Sequence, residues 1–319
     1  MPGTTRRMST SLQMQQVMDL INKRDIRGLT RAISLVEDHA PGIDTLLNMA
    51  FRSSTNGAFT LGFTGAPGAG KSTLVNGVIR RYRRAGKSVG VMAVDPTSAY
   101  SGGAVLGDRI RMQEHNADTG VYIRSLASRR ALGGLAEAVK YALYLYKAFG
   151  FDIIMVETLG IGQDEIDIAR YVDVTAVLLV PGYGDSIQMA KAGIMEIADL
   201  FIINKADRPG ADLLMNQVLN SMQMKPEDDR PPVILTKADR DEGLDDVIEA
   251  IELLKSQALS QRNVRYRRRI TEEIRSAVFS YLSGAVDEHL DEVVDKVLNA
   301  SMTPLEASME VIRRLRKKD

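Results

Sequence analysis

Seven short apolar runs, many of them β-branched, alternate with amphipathic stretches of helical period through the middle of this chain. The runs are Phe59 to Thr64, Ser88 to Val94, Val121 to Ser125, Phe151 to Val156, Val174 to Val180, Leu200 to Asn204 and Pro232 to Thr236. Several are apolar almost throughout, as strands covered on both faces must be. This alternation predicts an α/β fold with a doubly wound, mostly parallel sheet that binds its ligand at the carboxyl ends of the strands. On either side the period is purely helical. Before the sheet, Met14, Val17, Met18, Leu20 and Ile21 recur at helical spacing. Asp25 is placed to cap a second helix through Leu29, Ile33 and Val36, Pro41-Gly42 ends it, and Ile43 to Phe51 forms a third. Residues 1–10, small, polar and basic, predict a disordered start. Beyond the sheet, Ile270, Ile274, Ala277, Val278, Tyr281 and Leu282 make one stripe, and Leu290, Val293, Val294, Val297 and Leu298 another. Thr303-Pro304-Leu305-Glu306 is a capping box with proline at the first helical position, opening a last helix. The chain thus divides into a helical arm (1–57), a sheet domain (58–260) and a helical extension (261–319) whose stripes suit a homodimer.

Composition narrows the chemistry. Lys plus Arg balances Asp plus Glu, so no global field draws the protein to nucleic acid or to an anionic membrane. Cysteine is absent, which excludes disulfides and thiolate metal sites and fits a reducing cytoplasm. The three histidines, His39, His115 and His289, are too scattered to suggest a zinc or nickel site. With no long apolar run and no signal-peptide pattern, the expectation is a cytoplasmic chain with no membrane partner.

Against that background one stretch carries specific chemistry. Gly65-Ala66-Pro67-Gly68-Ala69-Gly70-Lys71-Ser72-Thr73 joins the first run to a helical stretch and matches the phosphate-binding P-loop in its strand-to-helix setting. Its glycines let successive N–H groups turn inward toward phosphate oxygens, and the following helix adds its dipole. Lys71 is placed to reach the terminal phosphates and Ser72 to ligate Mg²⁺.

Five more segments follow strand ends. Asn204-Lys205-Ala206-Asp207 matches the NKxD guanine motif: the Asp207 carboxylate can accept from guanine N1–H and the 2-amino group, donors that adenine lacks in that arrangement. Lys237-Ala238 stands where Ser-Ala usually faces the base, and the Ala238 N–H could still reach guanine O6. Glu157-Thr158-Leu159-Gly160 stands where GTPases have DxxG, with an acidic group toward Mg²⁺ and the Gly160 N–H toward the γ-phosphate. Asp95 opens a loop of small residues that leads to Asp108 and Arg109. Both aspartates are candidates to hold Mg²⁺ or orient the attacking water, with a plain helix-start carboxylate as the alternative for Asp108. Gly182 to Lys191, with two glycines flanking Tyr183, reads either as a mobile loop entering a helix or as an ordinary strand-to-helix turn. No arginine finger is evident, and Arg109 or Lys191 could assist hydrolysis in cis. The basic cluster Arg262, Arg265, Arg267, Arg268 and Arg269 has only Tyr266 interleaved, so it reads as a solvated face rather than a nucleic-acid site.

The stretches VDPTSAYSGGAVLGDRIRM, ETLGIGQDEIDIA and VPGYGDSIQMAKAGIMEIADLFIINKAD resemble the MeaB/ArgK-like GTPases of the SIMIBI class. The resemblance runs closely over residues 9–260 and more loosely beyond. It implies a P-loop NTPase sheet with helical extensions, a GTP/GDP cycle with Mg²⁺, and a homodimeric chaperone. The client would be an adenosylcobalamin-dependent acyl-CoA mutase, for which it gates cofactor loading and removal of inactivated cofactor. By position it makes Asp95, Asp108 and Glu157 switch carboxylates and Gly182 to Lys191 a third switch, in which Asp185, Gln188 and Lys191 relay nucleotide state. The chain departs from the family pattern at Ala99-Tyr100 (usually Pro-Phe), at Ser128-Arg129-Arg130 (Thr-Arg-Gly) and at Lys237 (Ser). Three other readings compete. A nickel-insertion metallochaperone would need His/Cys clusters. A partitioning ATPase would carry an additional lysine where Ala66 stands. A small-molecule kinase would need a phosphate acceptor.

Overall fold

The computed structural model describes residues 3–54, 58–95, 113–115, 117–127, 134–158, 169–182, 194–260 and 262–315. Three helices open the chain: α1 (Gly3–Asn22), α2 (Ile26–Glu37) and α3 (Ile43–Ser53). The sheet unit follows as β1 (Phe59–Gly65), α4 (Lys71–Arg84), β2 (Val89–Asp95), β3 (Val121–Ala127), α5 (Gly134–Phe149) and β4 (Ile153–Thr158). It continues through β5 (Val174–Leu179), α6 (Ile194–Ile197), β6 (Leu200–Asn204), α7 (Ala211–Ser221), β7 (Val233–Thr236) and α8 (Leu244–Ser260). Two helices close the chain, α9 (Arg262–Leu298) and α10 (Pro304–Leu315). Residues 1–260 and 261–319 form two compact units.

All seven strands are parallel, in the order β3-β2-β4-β1-β5-β6-β7, so β1 lies at the centre between β4 and β5. Every residue of β1, β4, β5 and β6 is buried, which explains why their sequences are apolar on both alternating faces. One face packs Phe59, Leu61 and Phe63 against Leu74, Val78 and Ile79 of α4 and Leu244, Val247 and Ile251 of α8. On the other face Met92, Val94, Ile154 and Val156 share a core with α5 and with Met14, Ile21, Leu29, Ile33 and Leu46 of the three opening helices. The arm is therefore part of the sheet unit's core. It also covers the edge strand β3: Thr30 and Tyr122 share a hydroxyl hydrogen bond of 3.1 Å, and Arg124 pairs with Glu37 at 2.8 Å.

The caps read from sequence are present. Asp25 accepts the Arg27 N–H at 2.9 Å. Thr303 and Glu306 exchange reciprocal bonds, with Glu306 Oε2 2.8 Å from the Thr303 N–H and Thr303 Oγ1 3.2 Å from the Glu306 N–H. One expectation needs correction. The disordered start does not hold, because α1 begins at Gly3; once Met14, Val17, Met18 and Ile21 anchor a helix, each added turn needs no new nucleus. The two stripes after residue 260 lie on a single 37-residue helix, α9. Its latter half packs Val293 against Ala307 and Val311 of α10.

Candidate functional site

The loop between β1 and α4 sits at the carboxyl edge of the sheet's central strand, where parallel strands leave a crevice. Two of its glycines are required by space as well as by conformation. Gly65 has φ +146°, and a β-carbon there would lie 2.3 Å from the Leu178 carbonyl oxygen of β5. Gly70 has φ +93° and caps α4, and its β-carbon would lie 2.4 Å from Asn204 Nδ2. The loop thus folds tightly against β5 and β6, with Pro67 and Gly68 at its exposed tip. Lys71, only 5% exposed, curls back so that Nζ donates to the carbonyls of Gly65 (2.7 Å) and Ala66 (3.0 Å). Ala69 N–H bonds to Ala66 O at 3.1 Å, closing the curl. Thr73 is exposed on the first turn of α4.

Beside the loop, Glu157 lies one residue before the end of β4, in register with Phe63 of β1. Its Oε1 accepts from the Ser72 hydroxyl at 2.7 Å, and both side chains are buried. A hydroxyl and a carboxylate brought together beneath a phosphate loop are hard oxygen donors, the type that suits Mg²⁺. That ion takes one or two protein oxygens plus phosphates and water rather than an all-protein cage. Accordingly, it needs no larger cluster, and among the described residues no three or more His, Cys, Asp or Glu side chains form a metal-holding group. Asp95 ends β2 next to β4, where Val94 is in register with Thr158. Asp108, Gly160 and Lys191, with Asp185 and Gln188, lie outside the described residues.

The two segments expected to face the base stand at the ends of β6 and β7. Asn204, 3% exposed, ties three segments together. Its Nδ2 donates to Ala69 O (2.8 Å), and its Oδ1 accepts from Thr236 Oγ1 (3.1 Å) and from the Ala238 N–H (3.1 Å). The next residue, Lys205, takes a left-handed conformation (φ +57°) and its Nζ donates to Gly68 O at 2.7 Å. Asp207 is then left at the rim, 43% exposed. The Ala238 N–H, expected to face guanine O6, is here donated to Asn204. Lys237, the residue in the serine position, is turned onto Glu242 at 2.6 Å, while the two residues exchange backbone bonds of 3.0 and 3.3 Å.

Sequence reading passed over the charged residues that hold this second loop. Arg80 of α4 bonds Asp241 (2.5 Å) and Glu114 (2.8 Å), Arg81 bonds Asp245 (2.5 Å), and Arg240 stands 3.9 Å from Asp207. The only local signal is the density of charge in Asp239-Arg240-Asp241-Glu242; the Arg80 partner of Asp241 is 161 residues away. Taken together, the site offers an anion cradle at a helix N-terminus, an oxygen pair beside it, and a carboxylate at a separate rim.

Comparison with known proteins agrees with this geometry. The family model described as methylmalonyl-CoA mutase-associated GTPase MeaB matches residues 29–291. A relative from Pyrococcus horikoshii is 38% identical over 315 residues, covering 95% of this chain and 98% of its own. GTPase ArgK of Escherichia coli strain K12 is 35% identical over 263 residues, 77% of this chain and 80% of that protein. The methylmalonic aciduria type A homolog of Mus musculus, mitochondrial, is 35% identical over 225 residues, 68% of this chain and 54% of that protein. Among solved structures, a crystal structure of LAO/AO transport system kinase has a TM-score of 0.70 at 24% identity, covering 96% of this chain and 98% of that one, a likeness of fold. The seven-stranded parallel sheet is the P-loop NTPase fold, and the chain belongs to the MeaB family of methylmalonyl-CoA mutase-associated GTPases.

Proposed function

We propose that this protein binds GTP with Mg²⁺, hydrolyses it to GDP and phosphate, and uses the cycle as a chaperone of an adenosylcobalamin-dependent acyl-CoA mutase of the methylmalonyl-CoA type. In this reading it gates entry of intact cofactor and removal of inactivated cofactor. The observation that carries the nucleotide part is the Asn204 bracket. One buried amide spans the phosphate loop and the Ala238 turn, so both ends of a bound nucleotide meet a preorganised wall. The family description and the name of the mouse relative support the partner.

In the same reading the backbone N–H groups of residues 65–73 cradle the phosphates and Lys71 turns from its loop carbonyls onto the terminal phosphate oxygens. Ser72 and Glu157, with Asp95 or Asp108, hold Mg²⁺, which offsets charge on the β- and γ-phosphate oxygens. Gly160 N–H senses the γ-phosphate, and residues 182–191 carry that state to the mutase through Asp185, Gln188 and Lys191. Asp207 accepts from guanine N1–H and the 2-amino group. The arm (1–57) belongs with the GTPase domain (58–260), and the extension (261–319) joins two copies in a homodimer.

Calorimetric titration with GDP and ADP tests the base assignment. GDP is expected to bind at least about a hundredfold more tightly, since ADP leaves the carboxylate without its donors. Lys71→Ala should abolish binding of either GDP or GTP. Release of GDP and inorganic phosphate with no acceptor present separates hydrolysis from a kinase reaction. Lys191→Ala should keep GTP affinity while losing the acceleration by the mutase; equal acceleration of variant and parent would count against the relay.

A further inference from the structure

The replacement of serine by Lys237 raises a question about Asp207. A half-exposed carboxylate that must accept two parallel hydrogen bonds needs its plane held, and the usual small hydroxyl beside it is absent here. Lys237 does not substitute, because its ammonium is taken by Glu242 at 2.6 Å. Lys205 is engaged with Gly68 O at 2.7 Å. Among the described residues, the cation that faces Asp207 is Arg240, whose Nη2 lies 3.9 Å from Oδ2.

That separation is informative. It is too long for a hydrogen bond, so the guanidinium does not consume the acceptor positions a base would use. It is short enough for Coulomb attraction to bias the carboxylate's orientation. Arg240 is also presented by a fixed turn, although its side chain is 58% exposed. At the start of the turn the Ala238 N–H is held by Asn204 (3.1 Å), and within it the Arg240 N–H bonds Lys237 O (2.9 Å). Just past it, Asp241 takes a left-handed conformation (φ +59°) and is bonded by Arg80 at 2.5 Å. The turn is thus tied to β6 on one side and to α4 on the other, and Arg240 projects between the two ties toward the base rim.

We propose that Arg240 is a positioning residue for purine selection, aligning Asp207 for two-point recognition of a base that bears both N1–H and a 2-amino group. This inference rests on the guanine reading of Asp207 given above. It separates two nucleotides of equal charge: GDP uses both carboxylate oxygens, whereas inosine diphosphate, lacking the 2-amino group, uses one.

The test is calorimetry of the full chain with GDP and inosine diphosphate. Arg240→Gln should weaken GDP about three- to fivefold, the upper range for an exposed ion pair, and inosine diphosphate less than about twofold. Arg240→Lys should recover part of the loss, and the difference should shrink as salt is raised. In an Asp207→Asn background, probed with xanthosine diphosphate because an amide can donate to its C2 carbonyl, Arg240→Gln should add no loss. Equal loss for both nucleotides, or a loss that persists in the Asp207→Asn background, would mean that Arg240 only braces the loop or meets the ligand elsewhere, and would overturn the assignment. A parent chain that holds ADP as tightly as GDP would instead bring down the guanine reading, and this inference with it. A parent that prefers GDP while Arg240→Gln changes nothing would bring down the inference alone.

Discussion

A β-carbon on Gly70 would meet Asn204 Nδ2 at 2.4 Å, on a residue whose φ of +93° already disfavours any side chain. Gly70→Ala should therefore disturb the Asn204 bracket and the entry to α4 together. We expect nucleotide affinity to fall about tenfold or more and the fold to lose about 1–3 kcal/mol, since the left-handed strain alone is of that order. Asn204→Ala should cost a similar amount, because it leaves the buried Ala69 carbonyl and Ala238 N–H without this partner. Titration calorimetry with GDP alongside thermal melting checks both; unchanged affinity in either variant would remove the bracket from the binding site. Much of this was legible in sequence. The phosphate loop is a contiguous motif, and Asn204-Lys205-Ala206-Asp207 announces itself by spacing after an apolar run. What was not legible depends on pairs distant in the chain. Arg80 and Asp241 are 161 residues apart, and nothing in either neighbourhood encodes the other. The Ala238 N–H, which the motif aims at the base, is satisfied by Asn204, a partner 34 residues away that the local spacing does not name.

At the scale of elements, apolar runs mark all seven strands, most plainly β1, β4, β5 and β6, which are buried on both faces and so apolar almost throughout. Helix limits were less legible where they depend on tertiary support. The polar sequence of residues 3–10 carries no apolar stripe, and α9 runs without a break through Gly284, a residue type that disfavours a helix interior. The last helix was read through its cap, and that gives a direct measurement. Thr303→Ala removes the hydroxyl that accepts the Glu306 N–H, which should cost about 1 kcal/mol and raise amide exchange in the first turn of α10. The same helix pair carries a pH signature. Arg314 and Lys296 hydrogen-bond Glu292 and hold its pKa down at about 2, and Glu310 is lowered by the same two cations. A depressed carboxylate pKa contributes stability that is complete above the ordinary carboxylate range and is lost as pH falls toward the folded value. The α9–α10 pair should thus loosen as pH drops from the ordinary carboxylate range toward about 2. Hydrogen exchange of residues 304–315, corrected for intrinsic rates, should follow that window in the parent and be flatter in Glu292→Gln. An identical profile in the two would show that these pairs, exposed and screened as they are, add nothing.

For the molecule as a whole, alternation of strand and helix implied a parallel sheet, but the order β3-β2-β4-β1-β5-β6-β7 required the structure, because sequence neighbours need not be sheet neighbours. The arm's membership of the sheet unit's core was equally hidden, as an amphipathic helix states that it has a buried face without naming what buries it. That ambiguity recurs in the C-terminal unit with the opposite outcome. Ile274, Val278, Tyr281 and Leu282 recur at the spacing of one helical face, and they are 60%, 50%, 78% and 41% exposed. Each such side chain gains free energy by leaving water, so a row of four favours association. The proposed homodimer places a second copy of this row against it. Val278→Glu puts a charge within that row, and burying an unpaired carboxylate costs more than the contact returns. Light scattering after size exclusion should find the parent as a dimer at micromolar concentration and Val278→Glu as a monomer. GDP affinity should change little, because Val278 is not part of the core of its own unit, whereas the melting temperature should lose its dependence on protein concentration. A parent that runs as a monomer at every concentration, or a variant that still dimerises, would place the homodimer contact elsewhere or nowhere.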